Sequence, residues 1–143
     1  MGNAWNANKI NHDTAAKGVE IEVNLPDGEG GKETWIFTVV YGGTGANKRV
    51  AVAREAITRR LKKKVGGVNE AELAREVMAE AILQGWSGIK GPDGNEFPFN
   101  KENAITLFKD FPRIFEVLTD KAMDPSVFGD MPTAQEIEDD SGN

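Results

Sequence analysis

The segment whose residue types come nearest to phosphate-binding chemistry is the glycine-rich run at residues 42–48, Gly-Gly-Thr-Gly-Ala-Asn-Lys. It follows a predicted strand and precedes a predicted helix, which is where backbone N–H groups bind phosphates. A P-loop, however, has glycine directly before its lysine and serine or threonine directly after it. Here Asn47 precedes Lys48 and Arg49 follows it. The segment is therefore predicted to be a flexible connection, and nucleotide binding is not expected.

Metal binding and catalysis have few candidate residues. Residues 93–96, Asp-Gly-Asn-Glu, lack the alternating acidic ligands and the distal glutamate of a calcium loop, so a type I or I′ turn is predicted there. The chain has no cysteine, which excludes disulfides, thiolate zinc sites and cysteine nucleophiles. Its one histidine, His12, lies in the polar N-terminal segment, and Ser87 has no base nearby in the sequence. We therefore expect a protein that is not an enzyme and has no catalytic residue, cofactor or metal.

The strongest electrostatic feature is a basic run at residues 48–64, which contains eight lysines and arginines and one acid, Glu55. Such a run could contact nucleic-acid phosphates, an acidic protein partner or the chain's own acidic C-terminal segment. It could also be a solvated helix face whose long side chains cover apolar surface. Residues 42–85 contain no aromatic side chain to stack on bases, and the net charge is -6. We therefore favour a protein contact or a solvated face over nucleic acid.

The three tryptophans are candidates for anchoring a partner, because tryptophan is enriched among residues that dominate binding energy. Trp35 lies in a predicted strand and Trp86 follows a predicted apolar helix, so both are predicted to pack inside the domain. Trp5 lies in the polar N-terminal segment, where no core is expected. Trp5 is therefore a candidate for docking into a groove on a neighbouring molecule.

A β-hairpin is the first element predicted from the hydrophobic pattern. Residues 19–25 and 33–41 alternate in polarity, and turn-forming residues at 26–32 separate them, which predicts two antiparallel strands. Large apolar side chains share one face of the second strand: Trp35, Phe37, Val39 and Tyr41. The opposite face also carries apolar residues and is expected to be partly covered.

Two helices are predicted directly after the hairpin. The first covers about residues 46–64 and has its apolar residues on one stripe, which consists of Val50, Ala53, Ile57, Leu61 and Val65. The second begins after Asn69, with Glu72 placed as in a capping box, and is expected to end at Gly85. Its wide apolar arc places it centrally among the other elements.

Two shorter helices are predicted in the last part of the domain. Residues 85–99 are expected to form a loop or a short hairpin that turns at Asp93 and Gly94. Asn100 can cap a third helix that extends to about residue 109. Pro112 suits the first turn of a fourth helix, which should end before the Asp-Pro pair at 124–125.

Length and composition predict one domain. The 143 residues suffice to bury a core, and 39% hydrophobic with 28% charged residues is typical of a globular chain. No apolar run is long enough to cross a bilayer, and the polar start has no signal-peptide core. We predict a flexible arm over residues 1–17, an α+β domain over 18–125 and an acidic flexible tail over 126–143. The domain is predicted to be an N-terminal antiparallel β-hairpin followed by a compact bundle of about four helices.

The stretch from residue 79 to 128 contains a series of short motifs. They read Ala-Glu-Ala-Ile-Leu-Gln-Gly-Trp-Ser-Gly-Ile at 79–89, Pro-Asp-Gly at 92–94, Phe-Pro-Phe-Asn-Lys-Glu-Asn-Ala at 97–104, Asp-Phe-Pro-Arg-Ile-Phe at 110–115 and Ala-Met-Asp-Pro-Ser-Val-Phe at 122–128. In this order the motifs resemble those of tail assembly chaperones and related minor tail proteins of tailed bacteriophages. The resemblance covers about residues 33–128 and is best over 82–118. The predicted hairpin departs from the simplest members, which are all helical.

The resemblance implies a non-catalytic role in tail morphogenesis, in which the protein binds the tail tube protein, the tape measure protein or both. It also implies that the protein acts in the host bacterial cytoplasm during assembly. The residues selected on this basis as partner-binding are Trp86, Phe97, Phe99, Phe111, Arg59, Arg60 and Lys63. A structural component of the virion and a small phage inhibitor of a host defence complex are alternatives. The sequence leaves a homo-oligomer open and gives no reason to expect binding to a membrane.

Overall fold

The chain has an α+β fold in a computed structural model that describes residues 4–5, 9–43 and 47–129. The elements in chain order are α1 (His12–Lys17), β1 (Val19–Pro26), β2 (Lys32–Val39), α2 (Lys48–Lys62), α3 (Glu70–Val77), a π-helix (Met78–Ile82), β3 (Leu83–Ser87), α4 (Lys101–Asp110), α5 (Pro112–Ala122) and a 3₁₀-helix (Pro125–Phe128). The predicted fold class is confirmed, and helices α2 to α5 are the four helices that the hydrophobic pattern predicts.

The sheet has three antiparallel strands in the order β1-β2-β3, so β2 is central. The predicted hairpin is its β1–β2 part. Cross-strand partners put apolar side chains on one face, because Ile21 lies opposite Phe37 and Phe37 lies opposite Trp86. Phe37 and Val39 are completely buried on this face. The sheet therefore has one apolar face against which the helices pack.

Helix α3 and its π-helical continuation lie between helices α2 and α4, and both neighbours contact them. The central position predicted from the wide apolar arc is therefore confirmed. The π-helix contributes Met78 and Ile82 to the core, and Leu61 of α2, Phe108 of α4 and Leu118 of α5 are also buried there. One continuous core thus connects the sheet with all four predicted helices.

Asparagine side chains cap three of these helices. The Oδ1 of Asn69 accepts a hydrogen bond from the backbone N–H of Glu72 at 3.0 Å, and that of Asn100 accepts one from Asn103 at 2.7 Å. Each cap satisfies a backbone donor that the first turn of a helix leaves unpaired. Both caps agree with the prediction, and Asn47 caps α2 in the same way.

The predicted apolar stripe of α2 is wrong at its last residue. Val50, Ile57 and Leu61 are buried as predicted, but Val65 is fully exposed. The helix ends at Lys62, so Val65 no longer has the helical spacing that would place it on the stripe. The chain then turns through Gly66 and Gly67, both of which have positive φ.

The predicted end of the second helix at Gly85 is also wrong. The α-helix gives way to the π-helix, and residues 83–87, predicted as the end of a helix and the start of a loop, form strand β3. The Nε2 of Gln84 donates a hydrogen bond to the carbonyl of Ala81 at 3.0 Å. This hydrogen bond satisfies a carbonyl at the C-terminal end of the helix, and the chain enters the sheet directly at Leu83.

The arm predicted over residues 1–17 contains helix α1. Asn11 caps this helix by accepting a hydrogen bond from the backbone N–H of Thr14 at 3.1 Å. Ala15 is completely buried, and its carbonyl accepts a hydrogen bond from the backbone N–H of Tyr41 at 3.1 Å. Residues 12–17 are therefore packed against the domain and are not a free arm.

The domain also continues beyond residue 125, where the prediction placed its end. The 3₁₀-helix buries Phe128 completely, and the Phe128 ring centroid lies 5.3 Å from that of Tyr41. The carbonyl of Phe128 accepts a hydrogen bond from the backbone N–H of Asn11 at 2.8 Å. The start of the predicted tail thus belongs to the core, whereas residues 130–143 lie outside the described residues.

Candidate protein-binding site

Two of the selected aromatic residues, Phe97 and Phe99, pack against a third, Trp86 of strand β3. We call all three the Trp86 cluster. The ring of Phe97 stacks parallel to that of Trp86 with centroids 5.8 Å apart, and Phe99 meets Trp86 edge-on at 5.0 Å. The Trp86 Nε1 donates a hydrogen bond to the carbonyl of Phe97 at 2.7 Å. Trp86 therefore packs beneath the following loop, as its position after an apolar helix predicts.

A short hairpin holds Phe97 in this position. The backbone N–H of Gly91 donates to the carbonyl of Asn95 at 2.8 Å, and the Oδ1 of Asp93 accepts from the N–H of Asn95 at 3.0 Å. Gly94 has a φ of 82°, which a side chain would strain. The predicted turn at Asp93 and Gly94 is thus confirmed. Its carboxylate is used within the turn, where a calcium loop would need it as a ligand.

An apolar groove of about 320 Å³ opens beside the Trp86 cluster, between the short hairpin and helix α4. We call it the aromatic groove. Its principal apolar lining residues are Trp35, Ile89, Pro92, Phe97, Leu107 and Phe111. The Phe111 ring meets that of Trp35 edge-on at 5.2 Å, yet the residue remains 38% exposed. Phe111 is therefore a wall of the groove that solvent or a partner can reach.

Trp35 contributes an unusual polar atom next to this groove. The residue lines the groove but is only 6% exposed, and its Nε1 has no hydrogen-bond partner among the described residues. A buried donor without an acceptor costs about 1–3 kcal/mol. This N–H is itself buried, so the surface that the groove offers a partner is mainly apolar and suits a largely apolar segment.

The remaining selected residues lie apart from the aromatic groove, and none of them lines it. Arg59 pairs with Glu55 of the same helix at 3.1 Å, with both side chains mostly exposed, and Lys63 is exposed directly after α2. Trp5 is 79% exposed. The structure therefore brings the selected aromatic residues of 86–111 together but not the selected basic residues or Trp5.

Arg60 takes part in an ion-pair network that the sequence analysis missed. It pairs with Glu76 of α3, which is only 7% exposed and is the buried charged residue of the described chain. Lys101 of α4 lies 3.4 Å from the same Glu76 oxygen and 3.5 Å from Glu80. The network joins three helices. The available signal was an acid on the apolar arc of α3, next to Val77 and three residues after Leu73.

A second contact with α3 comes from Lys64, just beyond the end of α2, and changes the pKa of a carboxyl group. The Nζ of Lys64 donates a hydrogen bond to Glu72 at 2.8 Å. This bond, together with the positive charges of Lys64, Arg60 and Arg75, lowers the pKa of Glu72. The basic run therefore uses two of its residues, Arg60 and Lys64, to hold α2 against its neighbour.

The cap of α2 occupies two of the backbone donors in the first turn of the helix. The Oδ1 of Asn47 accepts from the backbone N–H groups of Arg49 at 3.0 Å and Val50 at 3.4 Å. A phosphate would have to displace this cap to reach them. Within residues 9–43 and 47–129, no group of three histidine, aspartate or glutamate side chains is arranged to hold a metal ion.

The comparison with known families identifies a prophage protein. Residues 44–142 match the family described as YdaY prophage protein. This match covers more than two thirds of the chain, so the chain belongs to the YdaY prophage protein family and is derived from a phage. No curated protein and no solved structure matches the chain.

The family match confirms the bacteriophage origin that the motif resemblance implies. It includes helices α2 to α5, strand β3 and the acidic segment, and it begins after the β1–β2 hairpin. No helix of the described chain is both long and apolar enough to span a bilayer.

Proposed function

We propose that this protein is a non-catalytic tail assembly chaperone, which binds the tail tube protein, the tape measure protein or both. The observation that carries the proposal is the aromatic groove, whose wall Phe111 is partly exposed. Membership of a prophage protein family and the motif resemblance over residues 82–118 support a role in phage assembly. The proposed place of action is the host cytoplasm.

The shape and lining of the aromatic groove suit a partner that presents one or two apolar side chains. Its volume of about 320 Å³ lies near the lower limit of pockets that bind small ligands, about 300–1,000 Å³. Phe97 and Phe111 provide aromatic walls, and such residues often dominate the energy of protein interfaces. An amphipathic helix that inserts an apolar side chain is a common occupant of a groove of this kind.

Tail assembly supplies a reason for such binding. A long helical tape measure protein exposes apolar surface until tube subunits cover it, and exposed apolar patches favour aggregation. A small protein that covers part of this surface would keep the partner soluble. The covering must be reversible, because the tube subunits have to replace it. A shallow groove with few anchors is consistent with exchange of this kind.

The direct test is co-purification of the tagged full-length protein from phage-producing cells, followed by identification of the bound chain. The expected partner is a tube or tape measure protein. Phe111→Ala is expected to weaken its binding at least about tenfold, which corresponds to about 1.4 kcal/mol. Val52→Ala is the control, since Val52 is an exposed apolar residue on α2 (57% exposed) and does not line the groove. Equal losses from both substitutions would contradict binding in the groove.

Mass spectrometry of purified virions separates the chaperone from a structural component. A chaperone is expected to be absent from the finished particle. Presence at a stoichiometric copy number would contradict the chaperone role and favour the virion component. If the co-purified chains were subunits of a host complex and no phage protein was bound, the proposal would be wrong and an inhibitory role would replace it.

A further inference from the structure

An open groove of about 730 Å³ extends along helix α2, separate from the aromatic groove. One wall is a single face of the helix, since its residues are linked by spacings of three and four: Asn47, Ala51, Arg54, Glu55, Thr58, Arg59 and Lys62. Gly42 and Met123 contribute to the lining from outside the helix, and Met123 is 37% exposed. We call this the basic groove.

The basic groove has cations that no carboxylate of the described chain neutralises. It is lined by Arg54, Arg59 and Lys62 against one acid, Glu55. Glu55 pairs with Arg59 at 3.1 Å, while Arg54 and Lys62 have no carboxylate within 4.0 Å among the described residues. Of the basic residues of this run outside the groove, Arg60 and Lys64 are paired with α3, whereas Lys48, Arg49 and Lys63 have no carboxylate within 4.0 Å among the described residues. The face that lines the groove carries two unpaired cations, Arg54 and Lys62, and its one acid is already paired.

The most acidic part of the chain is the segment at residues 130–143. It contains five acids and no lysine or arginine, and four of the acids fall between residues 136 and 140. The family match extends over both helix α2 and this segment up to residue 142. The two oppositely charged parts therefore belong to one family unit.

The described chain ends close to the place where the basic groove begins. Gly129 follows Phe128, whose ring centroid is 5.3 Å from that of Tyr41, and Tyr41 directly precedes Gly42 of the groove lining. Gly42 is also hydrogen-bonded through its N–H to the carbonyl of Ala122 at 2.9 Å. The last described residues therefore pack beside Tyr41 and Gly42, and both Gly42 and Met123 line the basic groove.

The length of the segment matches the length of the groove. Glu136 is seven residues beyond Gly129, and seven extended residues reach about 23 Å. Helix α2 has 15 residues, which corresponds to a length of about 22 Å. An extended chain that starts near Gly42 is therefore long enough for its acids to reach Arg54 and Lys62.

We propose that the acidic segment 130–143 of the same chain binds in the basic groove, with the acids of 136–140 next to Arg54, Arg59 and Lys62. Contacts between exposed charges are screened by salt, so the bound state is salt-sensitive. An external acidic partner has to displace this segment before it can bind α2. The proposal does not depend on what occupies the aromatic groove.

The absence of cysteine from the chain permits a direct test with a spin label at one introduced cysteine. Ser141→Cys places a nitroxide in the segment without removing an acid, in isotopically labelled full-length protein. At about 0.01 M salt, where the Debye length is about 30 Å, the amide signals of Ala51, Arg54 and Thr58 should be broadened. At about 1 M salt, where the Debye length is about 3 Å, the broadening should be lost.

Charge reversal in the groove should have the same effect as high salt. Arg54→Glu with Lys62→Glu is expected to abolish the broadening at low salt. The matched control reverses two exposed lysines elsewhere, Lys32→Glu with Lys109→Glu, and should leave it unchanged. Both groove residues lack ion pairs in the described chain, so the amide spectrum of the variant should otherwise resemble that of the parent protein.

A charge swap keeps the test informative even if the groove variant is perturbed. Reversing Glu136, Glu138 and Asp139 to lysine should abolish the broadening, and combining this change with the groove reversal should restore it. Absence of broadening on α2 at low salt would overturn the proposal. So would broadening that survives the groove reversal. Broadening of equal size in a mixture of spin-labelled and separately isotope-labelled chains would assign the contact to a second copy and overturn it too.

Discussion

The Trp86 cluster and helix α2 were selected for the same reason, since each concentrates residues that often bind partners, yet the structure uses them differently. The rings of Phe97 and Phe99 pack against Trp86, and Phe97 also lines the aromatic groove, whose wall Phe111 stays partly exposed. The charges of α2 differ from one another, with Arg60 bound to α3 and Arg54 unpaired among the described residues. Residue type thus indicates that an interaction forms, whereas tertiary packing decides whether its partner lies inside the chain.

The largest loss of stability is expected from Trp86→Ala. The indole contacts Phe37 as well as its own cluster and donates a hydrogen bond to the carbonyl of Phe97. Its removal should lower the free energy of unfolding by about 3 kcal/mol, measured by chemical denaturation. Trp5→Ala is the control, because Trp5 is 79% exposed, and should change the value by no more than about 0.5 kcal/mol. Similar losses from both would mean that the cluster does not stabilise the domain.

A smaller loss of stability is expected when the cations that pair with Glu76 of α3 are removed. Arg60→Gln alone should cost little, because Arg60 is half exposed and Lys101 remains 3.4 Å from Glu76. Arg60→Gln with Lys101→Gln leaves a buried carboxylate unpaired and should cost about 2 kcal/mol. The two single losses measured by denaturation should therefore sum to less than the double loss. Additive losses would show that the two cations do not share Glu76.

The smallest effect is the pH dependence of stability that comes from Glu72. The hydrogen bond from Lys64 and the surrounding cations lower the pKa of Glu72 in the folded state, below the value of about 4.3 expected in the unfolded chain. The resulting stabilisation is fully present above the unfolded pKa and is lost as the pH falls through the folded pKa. In an NMR titration, Lys64→Gln should raise the pKa of Glu72 towards its ordinary value. Lys63→Gln, a change at the neighbouring exposed lysine, should not.

Much of the fold could be predicted because it follows local patterns. Period-two alternation predicts β1 and β2, and the apolar stripes with the caps at Asn69 and Asn100 predict the helices. Strand β3 was missed because Gln84 and Gly85 have low strand propensity, and pairing with β2 decides their conformation. Helix α1 was missed because six residues are too few for a helical period, and tertiary contacts of Ala15 hold it in place.

The candidate site was predicted only in part. The rings of Trp86, Phe97 and Phe99 are close in the sequence, so their clustering follows from one short hairpin. Trp35 lies far from them in the sequence and reaches the groove only through the sheet. The pairing of Arg60 with Glu76 likewise depends on how two helices pack. Long-range geometry of this kind leaves little trace in residue spacing.

The direct passage from the π-helix into strand β3 at Ile82 and Leu83 makes this junction intolerant of insertions and deletions. Most junctions between elements have a loop that absorbs a change in length, but none lies between Ile82 and Leu83. The register of β3 on β2 shifts between Thr38 and Val39, so that Gln84 is an extra residue between the pairs Val39–Leu83 and Thr38–Gly85. Because neighbouring strand residues otherwise alternate between the two sides of a sheet, one further residue would turn Trp86 to the opposite side. The fold therefore fixes the number of residues between the ion pairs of α3 and the Trp86 cluster. Substitutions within this stretch do not change that number, whereas an insertion or a deletion does.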